Sequence, residues 1–176
     1  VKVLEKGECP ASEVSAYHID AAYTDKKAIE ELRQTTAAVT TEFENVPAEV
    51  LSALAADGAC VTAPASHAVA IAQDRIDEKT FLQSVAGVPV APHAALLSAD
   101  DADSLDASLF PAILKTARMG YDGKGQRSVN NIAETKAAFA ELGNRVCILE
   151  KKLSLAKEVS VIVVRSLTGE TVTFPL

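Results

Sequence analysis

The chain has 176 residues, of which 48% are hydrophobic and 23% are charged, and its formal net charge is -7. This composition is typical of globular protein, with enough chain for one large domain or two small ones. The acidic balance and the 5% aromatic content argue against nucleic acid or an anionic membrane surface as the main partner, and no apolar run of about 18 residues predicts a membrane span.

The cysteines are few and widely separated. Cys9, Cys60 and Cys147 include no Cys-x-x-Cys pair, and the three histidines have no metal-ligand spacing either. Such usage favours buried thiols in a reducing compartment over a metal cluster or a nucleophile. A cytoplasmic location is expected, and a plastid would suit the same cysteine usage.

Both ends of the chain fall in predicted strands. Residues 1–4 carry no Met and no signal-peptide pattern, and residues 171–176 stop inside or just after a strand. We therefore expect a fragment of a longer protein, incomplete at both ends.

Strands and helices alternate in the first part of the chain. A strand over 1–4 and an extended segment over 14–19 precede an amphipathic helix over about 25–34, and a short strand over 37–40 precedes a helix that Pro47 opens. This alternation predicts parallel strand pairing in an α/β layer.

Two carboxylates follow the predicted strand over 37–40. Ligands of parallel sheets bind at the carboxyl ends of strands, so Glu42 and Glu44 lie where a substrate could bind. A solvated turn before the next helix explains the same residues equally well.

A new helix is predicted to start at Asp74, a good N-cap, and to run to about residue 85. Arg75 and Lys79 are four residues apart, so they share one helical face and could reach a phosphate together. A solvated basic edge is the simpler alternative. The other face is predicted to be buried through Phe81, Leu82 and Val85.

The rest of the chain predicts mixed α+β structure with an antiparallel sheet. Asn131 and Glu134 resemble a capping box that starts a helix to about residue 142. Strands are predicted over 93–97, 112–114, 127–129, 146–153, 158–164 and 171–174, with a short helix over 100–107.

Residues 111–126 join a buried strand to a glycine-rich loop. The strand carries Lys115, and glycines at 120, 123 and 125 then surround Tyr121, Asp122 and Lys124. Glycine lets backbone N–H groups approach an anion closely, and two lysines can neutralise its charge, so a phosphate-covering loop is predicted. The spacing matches neither the P-loop nor the dinucleotide fingerprint, and a polar hairpin with glycines at its turn is an equal alternative.

Several separated motifs nevertheless occur in the order found in one enzyme family. They are Thr41-Glu-Phe-Glu-Asn-Val-Pro47, Gln73-Asp-Arg-Ile-Asp-Glu-Lys79, Leu114-Lys-Thr-Ala-Arg-Met-Gly-Tyr-Asp-Gly-Lys-Gly-Gln126, and Ile148-Leu-Glu-Lys-Lys-Leu153 followed by Lys157-Glu-Val-Ser-Val-Ile162. Over nearly its whole length the chain resembles the 5-(carboxyamino)imidazole ribonucleotide synthases of the ATP-grasp superfamily. The Gly-Tyr-Asp-Gly-Lys-Gly-Gln string is the most specific part, because relatives acting on other purine intermediates usually differ at the Tyr-Asp pair.

The resemblance implies an ATP-grasp fold of α/β and α+β parts. A partial Rossmann-like pre-ATP-grasp domain is expected over residues 1–66. The first part of the ATP-grasp domain is expected over 67–176, including a small lid subdomain at about 91–149.

The resemblance also implies a binding site for ATP. Lys115 and Arg75 would contact the phosphates, residues 120–126 would close over them, residues 150–153 would hold the adenine, and Glu158 would bind the ribose hydroxyls. The implied ATP site is Arg75, Lys115, Gly120, Tyr121, Asp122, Gly123, Lys124, Gly125, Gln126, Glu150, Lys151, Lys152, Leu153 and Glu158, of which Tyr121 and Asp122 would also bind the aminoimidazole ribonucleotide.

The implied reaction is the ATP-dependent carboxylation of 5-aminoimidazole ribonucleotide by bicarbonate in purine biosynthesis, through carboxyphosphate. Ligands for Mg²⁺ are expected beyond Leu176, so we expect the chain alone to be inactive and its parent to be a homodimer. Two alternatives stay open: another ATP-grasp ligase, such as a formate-dependent glycinamide ribonucleotide transformylase, and a nucleotide-binding module without chemistry.

Overall fold

The computed structural model describes residues 1–120 and 124–175. Within them, none of the helices has both the length and the apolar character needed to cross a membrane. The described residues form ten strands and six α-helices, and each half of the described chain contains one hydrophobic core. The combination of α/β and α+β structure predicted from the sequence is confirmed.

The first half contains two parallel strand pairs. Strands β1 and β2 pair in parallel, as do β3 and β4, which confirms the pairing predicted from the alternation of strands and helices. The elements are β1 (Lys2–Glu5), α1 (Pro10–Val14), β2 (Tyr17–Asp20), α2 (Lys26–Thr35), β3 (Ala38–Val39), α3 (Ala48–Ala55), β4 (Val61–Thr62) and α4 (Ser66–Ala72).

Helix α2 begins where its sequence predicts. The Asp25 side chain accepts hydrogen bonds from the backbone N–H groups of Lys27 and Ala28, both at 2.9 Å, and so satisfies two donors that have no partner within the helix. One turn further on, Leu32 is buried in the first core. That core consists of Leu32, Val50, Leu51, Leu54 and Val69.

Helix α1 is absent from the sequence predictions. Pro10 occupies its first turn, where the missing N–H costs nothing, and Ser12 Oγ donates to the Cys9 carbonyl at 2.7 Å. The helix has only five residues and buries none of them. It therefore shows no apolar periodicity that a sequence pattern could reveal.

The second half is built on a four-stranded antiparallel sheet in the order β5-β8-β6-β7. Its elements are α5 (Arg75–Ser84), β5 (His93–Leu96), β6 (Ala112–Thr116), β7 (Gln126–Val129), α6 (Ile132–Glu141) and β8 (Cys147–Lys151), with short 3₁₀ helices at Ala99–Ser104 and Ala107–Leu109. A separate antiparallel hairpin pairs β9 (Val163–Arg165) with β10 (Thr171–Thr173).

One face of this sheet packs on the second core. Leu114 on β6 and Leu149 on β8 are fully buried there, and Phe139 on α6 covers them at 2% exposure. Helix α6 starts as predicted, because Asn131 Oδ1 accepts a hydrogen bond from the Glu134 N–H at 2.9 Å. The Glu134 carboxylate accepts from the Asn130 N–H rather than that of Asn131, so only half of the predicted capping box forms.

Two predictions about this half are wrong. The apolar face of α5 is not buried, since Phe81 is 38% and Val85 72% exposed and only Leu82 is partly covered. The long strand predicted over 158–164 is reduced to Val163–Arg165, which pairs with Thr171–Thr173. Val159, Val161 and Ile162 are β-branched, but residues 158–162 form no strand, because a strand also needs a partner across the ladder.

The cysteines are unpaired and differ in exposure. Cys60 and Cys147 are buried, as predicted, whereas Cys9 at the start of α1 is only partly buried. Burial raises the pKa of the Cys147 thiol to about 11, because the charged thiolate would lose its hydration.

We predict that a water-soluble disulfide reagent at neutral pH modifies Cys9 in the native chain well before Cys60 and Cys147. The reagent needs an accessible thiolate, and burial denies it one at the other two positions. Peptide mass spectrometry over a time course measures the three rates. Equal rates at the three positions, without denaturant, would contradict the burial described for the cores.

The Leu149→Ala variant is expected to lower the free energy of unfolding by about 2–5 kcal/mol, because the residue is fully buried on an inner strand and its loss leaves a cavity. Leu97, which is 69% exposed, supplies the matched control, and Leu97→Ala should change the free energy by no more than about 0.5 kcal/mol. Chemical denaturation followed by circular dichroism measures both. Comparable losses for the two variants would contradict the core assignment.

Candidate active site: a shared carboxylate beside the glycine loop

Three charged side chains meet on the sheet face opposite the second core. Lys115 Nζ of β6 lies 3.0 Å from Glu150 Oε2 of β8, and Lys79 Nζ of α5 lies 3.4 Å from the same oxygen. All three side chains are largely shielded from solvent, at 14% exposure for Lys79, 25% for Lys115 and 12% for Glu150. We call these three residues the Glu150 cluster.

Strand register explains why Lys115 and Glu150 meet. Lys115 pairs with Ile148, and Ile113 pairs with Glu150, so the two charged residues are diagonal neighbours on the same face. Side chains alternate along a strand, and Leu114 and Leu149 consequently point to the other face and into the core. A slip of one residue in either strand would bury a charge in that core.

Helix α5 brings Arg75 as well as Lys79 to this side of the sheet, in line with the predicted shared face of the two residues. The Asp74 side chain accepts from the Ile76 N–H at 2.9 Å and caps the helix as predicted. The Arg75 guanidinium donates to the carbonyl of Thr116 at 2.8 Å and to that of Gly120 at 2.9 Å. Arg75 thus holds the start of the glycine loop, while Lys79, one turn later, reaches Glu150.

Close packing disfavours a side chain at two glycines of the loop. A Cβ atom at Gly120 would lie 3.1 Å from both Arg75 Nη1 and Thr116 Oγ1. At Gly125 it would lie 2.7 Å from Thr116 Oγ1, and Gly125 also has a φ of +77°, which disfavours other residues. The carbonyl of Gly125 accepts the Thr116 N–H at 2.8 Å, so both ends of the loop return to the same strand residue.

The remaining predicted residues differ in their relation to the cluster. Tyr121, Asp122 and Gly123 lie outside the described residues. Lys124 stands in the turn that leads into β7, and Gln126 pairs with Lys115 across the β6–β7 ladder. The structure therefore places Arg75, Lys115, Gly120, Gly125, Gln126 and Glu150 together around one end of β6.

The predicted adenine and ribose residues lie further along the chain. The N–H of Lys151 donates to the Pro92 carbonyl and that of Lys152 to the Pro111 carbonyl, each at 2.8 Å, so both backbone donors are already engaged. Leu153 is 47% exposed. Glu158 is exposed in the segment between β8 and β9 and makes no hydrogen bond or ion pair with the Glu150 cluster in the part of the chain described.

One positioning residue has no counterpart in the sequence predictions. Gln73 is only 8% exposed, and its Nε2 donates to the carbonyls of Glu44 at 2.7 Å and Val46 at 2.6 Å. Its Oε1 accepts from Arg118 Nη2 at 3.1 Å. Gln73 therefore ties the segment after β3 to the segment that leads into the glycine loop. A polar residue just before a helix cap gives no sequence signal of such burial.

The cluster suits an anion better than a metal ion. Across residues 1–120 and 124–175, Glu150 is the one carboxylate within 4.0 Å of Lys79 or Lys115, so two positive charges face one negative charge. No group of three or more His, Cys, Asp or Glu side chains in the same residues could hold a metal ion. The two lysines already occupy Glu150 Oε2, one of the two carboxylate oxygens that could ligate a divalent cation.

Comparisons with known proteins show which domain families the chain matches. Residues 1–73 match the ribonucleotide synthetase preATP-grasp domain, and residues 81–176 match the ATP-grasp domain. The N5-carboxyaminoimidazole ribonucleotide synthase of Brucella melitensis is 40% identical over 174 residues, which cover 96% of this chain and 46% of the relative. The enzyme of the same name from Pseudomonas aeruginosa is 39% identical over 160 residues, covering 90% and 44%.

Solved structures show the same likeness. N5-carboxyaminoimidazole synthetase from Staphylococcus aureus, in complex with ADP, has a TM-score of 0.87 at 35% identity and covers 99% of this chain and 46% of its own. N5-carboxyaminoimidazole synthase from Aspergillus clavatus, in complex with ADP and 5-aminoimidazole ribonucleotide, has a TM-score of 0.83 at 25% identity and covers 99% and 45%.

The chain spans a little under half the length of these relatives. The resemblance drawn from the sequence motifs is confirmed by the relatives, and the expected ATP-grasp fold by the solved structures. Because the ATP-grasp domain matches more than half of its residues, the chain belongs to the ATP-grasp family.

Proposed function

We propose that the chain is the nucleotide-binding part of an enzyme that carboxylates 5-aminoimidazole ribonucleotide with ATP and bicarbonate. The observation that carries the proposal is the Glu150 cluster, a surplus of positive charge fixed beside a glycine loop. The proposal is supported by relatives named N5-carboxyaminoimidazole ribonucleotide synthase. It is also supported by a related structure that holds ADP together with 5-aminoimidazole ribonucleotide.

Lys115 is proposed to bind the phosphates from a fixed position. It stands on an inner strand of the sheet, so its backbone is held in place while its side chain turns to an anion. Charge-assisted hydrogen bonds from a lysine to phosphate oxygens are among the stronger polar contacts in proteins. Residues 120–126 are proposed to close over the same phosphates, with backbone N–H groups as donors.

Arg75 is proposed to serve both the loop and the phosphates. A guanidinium has five N–H donors, and Arg75 uses two of them on the carbonyls of Thr116 and Gly120. The other donors can serve a phosphate that lies beside the loop. A single residue would then fix the loop's starting point relative to the nucleotide.

The remaining assignments follow the family likeness. We propose residues 150–153 for the adenine and Glu158 for the ribose hydroxyls, with Tyr121 and Asp122 meeting both substrates from the loop. We also propose that residues 1–66 form a pre-ATP-grasp domain and that residues 67–176 form an ATP-grasp domain, with a lid at about 91–149.

The proposed chemistry explains why cations and a closing loop are needed. Bicarbonate is a poor electrophile, and phosphorylation by ATP converts one of its oxygens into a leaving group. Positive charge stabilises the transferring phosphoryl group, and a closed loop protects the labile carboxyphosphate from water. The proposal also includes Mg²⁺, which would be bound by residues outside this chain. It further includes a homodimeric assembly and a cytoplasmic location.

Replacement of Lys115 by Met should weaken ADP binding about tenfold or more, since a hydrogen bond to a charged group contributes about 1.5–3 kcal/mol. Isothermal titration calorimetry measures the affinity. The control is Lys136→Met, which removes a more exposed lysine that pairs with Asp103 at 2.7 Å. Equal affinity in Lys115→Met and the unsubstituted chain, both folded by circular dichroism, would remove Lys115 from the site.

The full-length protein is expected to release phosphate from ATP when bicarbonate and 5-aminoimidazole ribonucleotide are both present. Omission of either should abolish the release. Glycinamide ribonucleotide with formate serves as the competing substrate pair. Preference for that pair would indicate a formate-dependent glycinamide ribonucleotide transformylase instead. ATP binding without any phosphate release would contradict the enzyme assignment altogether.

A further inference from the structure

We infer that Lys79 is a positioning residue that makes Lys115 available to a phosphate, because it keeps Glu150 paired when the phosphate draws Lys115 away. The inference rests on the proposed nucleotide binding and assigns a role to a residue outside the predicted ATP site. It predicts an exchange of partners within the Glu150 cluster rather than a simple addition of ATP to free cations.

The starting point is a single oxygen with two cationic partners. Glu150 Oε2 is 3.0 Å from Lys115 Nζ, within hydrogen-bond distance, and 3.4 Å from Lys79 Nζ. The three residues come from β6, β8 and α5, so the arrangement depends on three separate elements of the fold. Lys115 is the primary partner of the carboxylate, and Lys79 is its second partner.

Exposure distinguishes the two lysines. The Lys115 side chain is 25% exposed and that of Lys79 is 14% exposed, so Lys115 is the one that an anion arriving from solvent meets more readily. Arg75, one helical turn before Lys79, is engaged at the start of the glycine loop. Lys79 is therefore placed to act on Glu150 rather than on the arriving phosphate.

Charge balance gives the physical reason for a second lysine. A phosphate that takes Lys115 must compete with Glu150, whose carboxylate is only 12% exposed and is costly to leave without a partner. With Lys79 in place, the carboxylate keeps a cation 3.4 Å away throughout. Without Lys79, Lys115 and Glu150 would form a closed one-to-one pair, and the phosphate would have to break it.

A double-mutant cycle on the 176-residue chain tests the inference. ADP affinity is measured by calorimetry for the unsubstituted chain, Lys79→Met, Glu150→Gln and the double variant. Lys79→Met should weaken ADP binding about tenfold, within the range of ordinary coupling between groups. In the Glu150→Gln background the same substitution should change the affinity less than about twofold, because no carboxylate remains to be held.

Two controls separate positioning from a structural role. Lys79→Arg keeps the positive charge and should retain most of the ADP affinity. Adenosine, which has no phosphate, should bind Lys79→Met and the unsubstituted chain equally. If Lys79→Met does not fold, Lys79→Gln takes its place in the cycle.

Several results would overturn the inference. An equal loss of ADP affinity in both backgrounds would mean that Lys79 contacts the phosphate directly. Unchanged ADP affinity in Lys79→Met would remove the residue from nucleotide binding, and an equal loss for adenosine would indicate a general defect of the fold. Absence of ADP binding in the unsubstituted chain would instead contradict the proposed function itself. The proposed exchange of partners within the Glu150 cluster would then be contradicted as well.

Discussion

A single carboxylate oxygen, Glu150 Oε2, organises the candidate site. Two lysines from different elements converge on it, near the end of β6 where the glycine loop begins. A buried carboxylate is a poor source of stability, because its lost hydration offsets much of the attraction to its partners. We propose that it serves binding instead, since it holds two cations close together where a phosphate could reach one of them.

The glycine loop depends on the same end of the sheet. Arg75 binds the carbonyls of Thr116 and Gly120, and Thr116 in turn contacts Gly125 through its backbone N–H. The loop therefore leaves and re-enters the sheet at nearly the same point. Gln73 extends the connection to the segment after β3, through Arg118 on one side and the carbonyls of Glu44 and Val46 on the other. The two halves of the chain thus meet at the foot of the loop.

Sequence patterns could predict the features that are local. Asp74 caps its helix as expected, because a cap is indicated by a few adjacent residues. The parallel pairing of strands in the first half could be predicted from the alternation of strands and helices alone. The strand over 158–164 was overpredicted because β-branched residues indicate extended backbone but not a partner, and the five-residue α1 was too short to show any period.

Sequence patterns named the residues of the candidate site but not the contacts between them. The motifs identified Lys115, Glu150 and the loop, and helical spacing placed Arg75 and Lys79 on one face. That Glu150 would pair with both Lys79 and Lys115 depends on the register of β6 against β8 and on the placement of α5 over the sheet. These are long-range packing outcomes. The same holds for Gln73, whose burial results from contacts with residues far away in the sequence.

We propose that Lys115 of the Glu150 cluster binds a phosphate and that the cluster exchanges partners when the nucleotide binds. A crystal structure of the chain with ADP tests it most directly. The account predicts Lys115 Nζ on a phosphate oxygen, away from its present 3.0 Å contact with Glu150, and Lys79 still paired with that carboxylate. An ADP molecule bound elsewhere, with the Lys115–Glu150 contact intact, would contradict it.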